Sequence, residues 1–228
     1  MLGKNPQTCE VNQLSYSYQA QDVRNPVTER GAATKHRLLA AAEKCFGEKG
    51  FYPTSIADIT REAGVAQGTF YVYFDSKEAI LRALVHHLGH ELRRESAQAI
   101  AGAPSRAEAE RRGFQAFFRW VARHRNSYRI VRQAEFVDRD IFRWYYRKLA
   151  EGYARGLERA MGTGEIARAD PEVLAYCLMG IGDFVGMRYV LWEEEEGHGD
   201  GAPAGGVPQP VFEEVMRFIL GGLKKGGE

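Results

Sequence analysis

The chain has 228 residues, of which 44% are hydrophobic and 27% are charged, enough for one large domain or two small domains with a real core. Thirty-one Lys and Arg residues against thirty Asp and Glu residues leave a net charge of +1. This balance excludes a polycation or an acidic tail protein, so any nucleic-acid contact must come from a local arrangement. The cysteines Cys9, Cys45 and Cys177 form no Cys-x-x-Cys pair, which argues against a disulfide scaffold or a cysteine zinc site.

Membrane and secretory signals are not visible in the sequence. No segment approaches the roughly 18 uninterrupted apolar residues that a membrane helix requires. Residues 1–30 are rich in Gln, Asn, Tyr and charge, unlike the basic and then apolar pattern of a secretory signal. We therefore expect a soluble, cytoplasmic protein with no membrane partner.

The first third of the chain divides into an irregular segment and three helices. Residues 1–32 show neither helical nor strand periodicity, and we predict a mobile N-terminal arm there. From Thr34, apolar residues recur three and four positions apart, which predicts a helix that Gly50 ends. Two short helices follow, joined by a tight turn at Gly64, and the second begins around Ala66.

The remainder of the chain also follows the helical period. A longer helix is predicted from Lys77 to about Ile100, and later apolar stripes are separated by Gly, Pro or Asn. Asp170 followed by Pro171 marks the start of a late helix, and residues 197–208 form a loop rich in Gly and Pro. No convincing strand alternation is present, so we predict an all-α fold of about nine helices.

The two short helices have the spacing of a helix-turn-helix over about residues 55–74. Their apolar residues are predicted to pack on the first helix, which leaves the start of the second short helix free to enter a major groove. Gln67 is suited to bidentate pairing with adenine, and the methyl group of Thr69 can meet the methyl group of thymine. Gly68 has no side chain, so the helix backbone can approach the bases closely.

Three further side chains near this helix end in groups that can bind phosphate oxygens, namely Tyr71, Tyr73 and Lys77. The alternative interpretation is an ordinary helical hairpin whose tyrosines and lysine are merely solvated. Spacing alone does not decide between the two interpretations.

The longer pattern from Thr34 to Lys77 is more specific. It contains AAEKCF at 41–46, GF at 50–51, TSIADI at 54–59, AGV at 63–65, GTFY at 68–71, YF at 73–74 and SKE at 76–78. In order and spacing, this run closely resembles the DNA-binding domain of TetR-family transcriptional regulators. Two positions depart from that family: Ala66, where many members have a capping Ser, and Tyr73, which is often His.

The resemblance implies a homodimeric repressor that binds a palindromic operator and is released by a small ligand. It implies that base-reading positions are Gln67, Gly68, Thr69 and Tyr71, with Val72 at the margin. It implies that phosphate-contacting positions are Thr54, Ser55, Tyr73 and Lys77. On this basis we divide the chain into an arm (1–32), a helix-turn-helix domain (33–80) and an effector-binding and dimerisation domain (81–228).

Aromatic residues are dense between residues 114 and 153. Most such residues are ordinary core, but a pocket between bundle helices suits an apolar effector whose polar end is oriented by tyrosine hydroxyls. The candidate lining is Phe114, Phe117, Phe118, Tyr128, Phe142, Tyr145, Tyr146 and Phe184. The segment YRIVRQAEF at 128–136 looks like one found in regulators that respond to fatty acids or acyl-coenzyme A, with the polar head expected near Arg129 or Arg132. An aromatic or cationic drug-like compound is the alternative effector.

The last two helices are apolar enough for a dimer interface. Gly182 and Gly186 lie four positions apart, so two helix backbones could approach closely there. The resemblance implies that these helices form a four-helix bundle across a two-fold axis. The candidate interface residues are Phe184, Val185, Tyr189, Trp192, Phe212 and Met216. The alternative is that these helices pack against other helices of the same protomer and form no dimer interface.

Other functional classes are less well supported. His86 and His90 have the spacing that can hold a metal ion, with Glu91 beside them, but solvated or hinge-packing histidines are the favoured interpretation. No nucleophile motif, P-loop or dinucleotide fingerprint is visible, so we expect neither an enzyme nor a cofactor. A helical interaction module without DNA binding is a further alternative, against which the intact residues 67–77 speak.

Overall fold

The structure, a computed structural model, describes residues 28–192 and 206–224. These residues form nine α-helices and no β-strand, which confirms the predicted all-α fold. The helices are α1 (Glu29–Lys49), α2 (Ile56–Glu62), α3 (Gln67–Tyr73), α4 (Lys77–Ile100), α5 (Arg106–Arg123), α6 (Arg125–Val137), α7 (Arg139–Gly162), α8 (Pro171–Gly186) and α9 (Gln209–Leu223). A π-helical segment, Met187–Trp192, continues α8.

The first helix begins earlier than its periodicity predicts. The Thr28 hydroxyl caps α1 by accepting a hydrogen bond from the Gly31 N–H at 3.1 Å, and Glu29 follows in the first turn, where a negative charge favours the helix dipole. Residues 28–33 contain no large apolar side chain, so periodicity could not detect this turn. The predicted arm, residues 1–32, therefore wrongly includes residues 29–32, which belong to α1. Residues 1–27 lie outside the described residues.

The first three helices pack around one core together with the start of α4. Leu38 and Phe46 of α1, Ile59 of α2 and Phe70 of α3 are fully buried in it, and Phe74 closes it. Each fully buried side chain of this size stabilises the fold by about 1.5–3 kcal/mol relative to an exposed one. The core thus fixes how α3 lies against α1 and α2.

The larger bundle is built around α4, which contacts the first core at its beginning and then packs along α5, α6 and α7. Phe118 and Trp120 of α5 and Ile130 of α6 are buried in this second part of the core. Since α4 belongs to both parts, it connects them.

The eighth helix leaves much of its apolar surface uncovered. Residues 171–192 are long and apolar enough to span a membrane by length and composition. An 18-residue window of this helix has a mean hydropathy of 1.3, yet only 33% of the window is buried. The sequence expectation of no such segment rested on uninterrupted apolar runs, which Asp183 and Arg188 break. The helix packs on α5 and α7 on its inner side, so its outer side is an apolar surface that requires an explanation.

Candidate functional site

The start of α2, the first helix of the helix-turn-helix, is held by a capping box. The Ser55 Oγ accepts a hydrogen bond from the Asp58 N–H at 3.1 Å, and the Asp58 carboxylate accepts one from the Ser55 N–H at 3.0 Å. Hydrogen bonds from Ser55, with Lys49 and Arg61 nearby, lower the pKa of Asp58 to about 2. Gly64 then turns the chain with a φ of +64°, a conformation that favours glycine.

The candidate base-reading residues share the outer face of α3. Gln67, Gly68 and Tyr71 are exposed, whereas Phe70 points into the core; positions 67, 68 and 71 belong to one side of a helix. Thr69 is half-buried beside them. A Cβ atom at Gly68 would meet no described atom within 4 Å, so packing of the described residues does not demand glycine there. An unobstructed glycine on this face suits a close external partner.

Thr54 does not present its side chain to a partner. It is 1% exposed, and its hydroxyl donates to the Gly50 carbonyl oxygen at 2.7 Å, with the Cys45 carbonyl oxygen also within reach at 3.2 Å. The hydroxyl therefore stabilises the loop between α1 and α2, which corrects the expectation that it contacts phosphate. Ser55 is exposed and Tyr73 half-buried, and both remain candidates for phosphate contact.

The ammonium group of Lys77 is also used within the protein. It donates to the carbonyl oxygens of Phe51 at 2.8 Å, Tyr52 at 3.3 Å and Thr54 at 2.7 Å, and it lies 4.4 Å from the centre of the Phe51 ring. An ammonium has three donor hydrogens, and three acceptors surround it here. Lys77 therefore fixes the α1–α2 loop in this structure, and its expected contact with phosphate stays a prediction.

The sixth helix is bonded directly to the end of α1 and to the loop before α2, a connection that was not predicted from the sequence. The Gln133 Oε1 accepts a hydrogen bond from the Phe51 N–H at 2.7 Å, and its Nε2 donates to the Phe46 carbonyl oxygen at 3.2 Å. The Tyr52 hydroxyl donates to the Phe136 carbonyl oxygen at 3.2 Å. Movement of α6 would therefore be transmitted to the loop that precedes the helix-turn-helix.

Close approach of α6 to α1 depends on a small residue. A Cβ atom at Gly47 would lie 2.3 Å from the Asn126 Cβ, far inside van der Waals contact. Behind this contact the Ser127 hydroxyl donates to the Glu43 carboxylate, and Arg82 of α4 bonds to Asp138 after α6. These contacts place α6 against both α1 and α4.

The predicted aromatic pocket does not form as one cavity. Phe114 and Phe118 are buried core residues, and Phe117 packs against Phe118 with ring centroids 5.7 Å apart. Tyr145 is likewise buried in the core, beside Gly89. These four side chains fill the core and do not line a cavity. This corrects the expectation that they line the effector pocket.

Three of the other predicted pocket residues, Phe142, Tyr146 and Phe184, line a surface groove between α6, α7 and α8 with a volume of about 610 Å³. Tyr128 is buried and does not belong to this lining. Its lining is Arg132, Glu135, Phe136, Phe142, Arg143, Tyr146, Arg147, Tyr176, Met179, Gly180, Asp183 and Phe184. We call it the α6–α8 groove. Arg129 is not in this lining, so of the two arginines expected near a ligand head only Arg132 is at the groove.

A hydrogen-bonded network underlies the groove and joins α6 to α8. The Tyr128 hydroxyl donates to the Asp183 carbonyl oxygen at 2.9 Å and to its carboxylate. The Arg132 Nη1 donates to the same carboxylate at 3.0 Å. Burial and the hydrogen bond to Asp183 raise the pKa of Tyr128, so its hydroxyl stays protonated and able to donate.

The candidate dimer residues fall into two groups. Phe184 is 66% exposed and Trp192 is also exposed, whereas Val185 and Tyr189 are half-buried. Phe212 and Met216 are buried in the core of their own protomer, where Phe212 meets Phe118, which corrects the expectation that they face a partner.

Two exposed apolar residues of α8 and α9 were not among the predicted dimer-interface residues. Phe218 of α9 is 74% exposed and Val173 of α8 is also exposed. Phe212, Met216, Ile219 and Leu223 follow the spacing of one buried helix side, and Phe218 lies away from that side. This spacing was the signal that could have identified it.

The two histidines considered for a metal have different surroundings. The His86 ring lies 3.7 Å from the Trp144 ring between centroids, and burial, with Arg93 nearby, lowers the pKa of His86 to about 4. His90 is exposed. The described geometry thus favours a packing role for His86 over a shared metal site.

Comparison with known proteins identifies the DNA-binding unit. The family profile described as bacterial regulatory proteins, tetR family, matches residues 38–84, from α1 into α4. The uncharacterized HTH-type transcriptional regulator YvdT of Bacillus subtilis is 48% identical over 52 residues, which are 23% of this chain and 27% of YvdT. The chain thus matches about a quarter of the length of this relative.

The likeness to solved structures extends over both parts of the chain. The fatty acid degradation regulator FadR of Bacillus halodurans has a TM-score of 0.71 at 19% identity, over 85% of this chain and 97% of that one. The transcriptional regulator FadR of Bacillus subtilis, in complex with stearoyl-CoA, has a TM-score of 0.69 at 21% identity, over 82% and 98%. At this identity the likeness shows a common fold. Residues 38–84, the helix-turn-helix region, are thus similar to the tetR family of bacterial regulatory proteins.

Proposed function

We propose that the protein is a cytoplasmic, homodimeric repressor that binds a palindromic operator and is released by a small apolar effector. The observation that carries this proposal is the outer face of α3, where Gln67, Gly68 and Tyr71 are exposed in a matched helix-turn-helix domain. Gln67 can pair with adenine, and Thr69 can contact a thymine methyl group. Ser55 and Tyr73 are the proposed phosphate contacts.

Dimerisation is supported by the uncovered apolar side of α8. Val173 and Phe184 on α8 and Phe218 on α9 are large exposed apolar side chains, and an exposed apolar patch of this kind marks an interaction surface. A two-fold partner would cover it with the same surface of a second copy. Two recognition helices related in this way would read two half-sites of a palindrome.

The proposed effector is a fatty acid or an acyl-coenzyme A, and the support is the α6–α8 groove together with a neighbour of the same fold whose complex contains stearoyl-CoA. The alternative is an aromatic or cationic drug-like compound. A cationic compound would need carboxylates, and Glu135 and Asp183 are the two in the groove, with Asp183 already bonded to Arg132 and Tyr128. The balance of charge therefore favours the acyl class.

The proposed mechanism is a change in the relative position of the recognition helices. A ligand in the groove contacts α6, and α6 is bonded to the loop before the helix-turn-helix through Gln133 and Phe136. The connecting helix α4 provides a second route. A tenfold loss of DNA affinity requires about 1.4 kcal/mol of differential ligand binding between the two arrangements.

We infer that the protein is not an enzyme. The support is that its matched relatives are transcriptional regulators.

A gel shift with the DNA upstream of the protein's own coding sequence tests the proposal. The full chain should retard that fragment as a discrete complex and protect a palindromic segment from nuclease. An enzyme or an adaptor should give no footprint there, and that result would reject the proposal.

A further inference from the structure

The α6–α8 groove combines uncompensated positive charge with exposed aromatic surface. Arg143 and Arg147 lie one turn apart on α7 and both line it. Among the residues that the structure describes, neither forms a hydrogen bond or an ion pair. Phe136, which is 78% exposed, and the half-buried Phe142 contribute apolar surface to the same groove.

The charge balance of the lining is positive. Arg132 is neutralised by Asp183, to which its Nη1 donates at 3.0 Å. Glu135 is the other carboxylate of the lining, so it offsets one of the two remaining arginines. One guanidinium charge of the lining is therefore not offset. The half-buried Tyr146 also lines the groove, and burial and the nearby Asp183 raise the pKa of Tyr146. Its hydroxyl therefore stays neutral and can donate a hydrogen bond.

We propose that Arg143 and Arg147 bind the anionic group of an amphipathic effector, whose apolar chain lies on Phe136 and Phe142. Guanidinium groups form paired, charge-assisted hydrogen bonds with carboxylate and phosphate oxygens, and the aromatic walls suit an alkyl chain. This inference rests on the proposed function, because it assigns the ligand chemistry and the anion-binding residues of the same regulator. The carboxylate of a free acid and the phosphates of a coenzyme A ester share the chemistry required.

The groove also explains how such a ligand could act on DNA binding. Phe136 lines the groove with its side chain and accepts the Tyr52 hydrogen bond with its carbonyl oxygen. A chain packed on the Phe136 ring therefore contacts a residue that is itself bonded to the DNA-binding unit.

The experiment measures binding of dodecanoate, dodecanoyl-coenzyme A, dodecan-1-ol and coenzyme A to the full chain by calorimetry. The double variant Arg143→Gln/Arg147→Gln should lose about tenfold or more in affinity for dodecanoate or for the ester, since charge-assisted bonds are removed. Its affinity for dodecan-1-ol should not change. Arg143→Lys/Arg147→Lys should recover part of the loss, because the charge returns without the planar fork.

A matched control lies on the same helix. Arg155 and Arg159 have the same spacing on α7 and are exposed outside the groove, so Arg155→Gln/Arg159→Gln should bind all four compounds as the wild type does. Phe136→Ser should weaken dodecan-1-ol and dodecanoate alike. In Arg143→Gln/Arg147→Gln, a loss of affinity confined to dodecanoate identifies the carboxylate as the bound anion. A loss of affinity confined to dodecanoyl-coenzyme A identifies the phosphates.

Three results would overturn the inference. The first is equal binding of the anionic compounds by the wild type and the Arg143→Gln/Arg147→Gln variant, or no binding by either. The second is equal affinity for coenzyme A and its ester, which would mean phosphate binding without the chain. The third is loss of the dimer in that variant, which would mean that a second copy covers the groove. Operator binding by the wild type is measured in parallel, and its absence would reject the proposed function instead.

Discussion

The side-chain amide of Gln133 accepts a hydrogen bond from the backbone N–H of Phe51 at 2.7 Å, although the two residues are 82 positions apart. The same amide donates to the Phe46 carbonyl oxygen, so one side chain of α6 joins the end of α1 to the loop that follows it. This loop also receives the Lys77 ammonium. The helix-turn-helix is thus positioned in part by a residue of α6.

Replacing Gln133 should therefore reduce both stability and coupling. In Gln133→Ala the Phe51 N–H loses its partner in a partly buried position, which should lower the free energy of unfolding by about 1–3 kcal/mol. Urea unfolding followed by circular dichroism measures this change. The effector should also release less DNA from the variant than from the wild type, measured by fluorescence anisotropy of a labelled operator.

Gln98→Ala is the matched control, since Gln98 is exposed on α4. It should unfold and respond to the effector as the wild type does. Equal effector responses from Gln133→Ala and the wild type would show that α6 does not transmit the signal.

Gln67 and Lys77 should have different effects on DNA binding. Gln67→Ala removes a base contact and should relax the preference at one base pair by about 1–3 kcal/mol. Lys77→Met removes three hydrogen bonds to the α1–α2 loop, so it should weaken binding to all sites equally and lower the melting temperature. Binding to a panel of single-base operator variants measures both effects. Identical sequence profiles for the two variants would contradict this assignment of roles.

Charge on the outer side of α8 or α9 should separate the protomers. Phe184 and Phe218 are largely exposed in the protomer, so Phe184→Glu and Phe218→Glu should leave it folded. At a dimer interface each carboxylate would be buried unpaired, at a cost of about 3–5 kcal/mol. Multi-angle light scattering should then show monomers with unchanged helical circular dichroism.

Ile100→Glu provides the comparison for this experiment, because Ile100 is a partly exposed apolar residue at the far end of α4. It should remain a dimer. Stable dimers of Phe218→Glu would place the interface on another surface.

The half-buried His86 should make stability depend on pH. Burial lowers its pKa to about 4, below the ordinary value of 6.5. Between these two values the unfolded chain binds more protons than the folded chain, so the free energy of unfolding falls as the pH is lowered from about 6.5 to about 4. His86→Phe, which retains an aromatic ring against Trp144, should reduce this dependence.

The pH dependence is measured by urea unfolding at several pH values for the wild type, His86→Phe and His90→Phe. His90 is exposed one turn further along α4. If the two variants gave the same pH dependence, the burial of His86 would not be its source.

Helical periodicity predicted most of the fold because each helix buries one side, as Phe212, Met216 and Ile219 of α9 illustrate. The exposed start of α3 was also predictable, since Gln67 and Gly68 interrupt the apolar spacing. The burial of Thr54 and the loop contacts of Lys77 were not predicted, because sequence does not reveal that backbone carbonyl groups surround their polar atoms.

The groove could not be predicted for a related reason. Phe114, Phe118 and Phe142 have the same residue type and occur in similar helical patterns, yet the first two fill the core and the third lines the groove. The packing of α5 against α8 and α9 decides which ring is covered, and this depends on contacts between residues far apart in the chain. The link through Gln133 is likewise a contact over a long sequence distance.

Selection of binding sites from random duplex DNA by the purified full chain tests the central claim most directly. We expect enrichment of a palindrome of about 15–30 base pairs whose half-sites are spaced by whole helical turns, as two-fold symmetry requires. Selection with Gln67→Ala should lose information at one position in each half-site. Failure of the wild type to enrich any sequence, or enrichment of the same site by a variant with Gln67, Thr69 and Tyr71 all replaced by Ala, would contradict the assignment of α3 as the recognition helix.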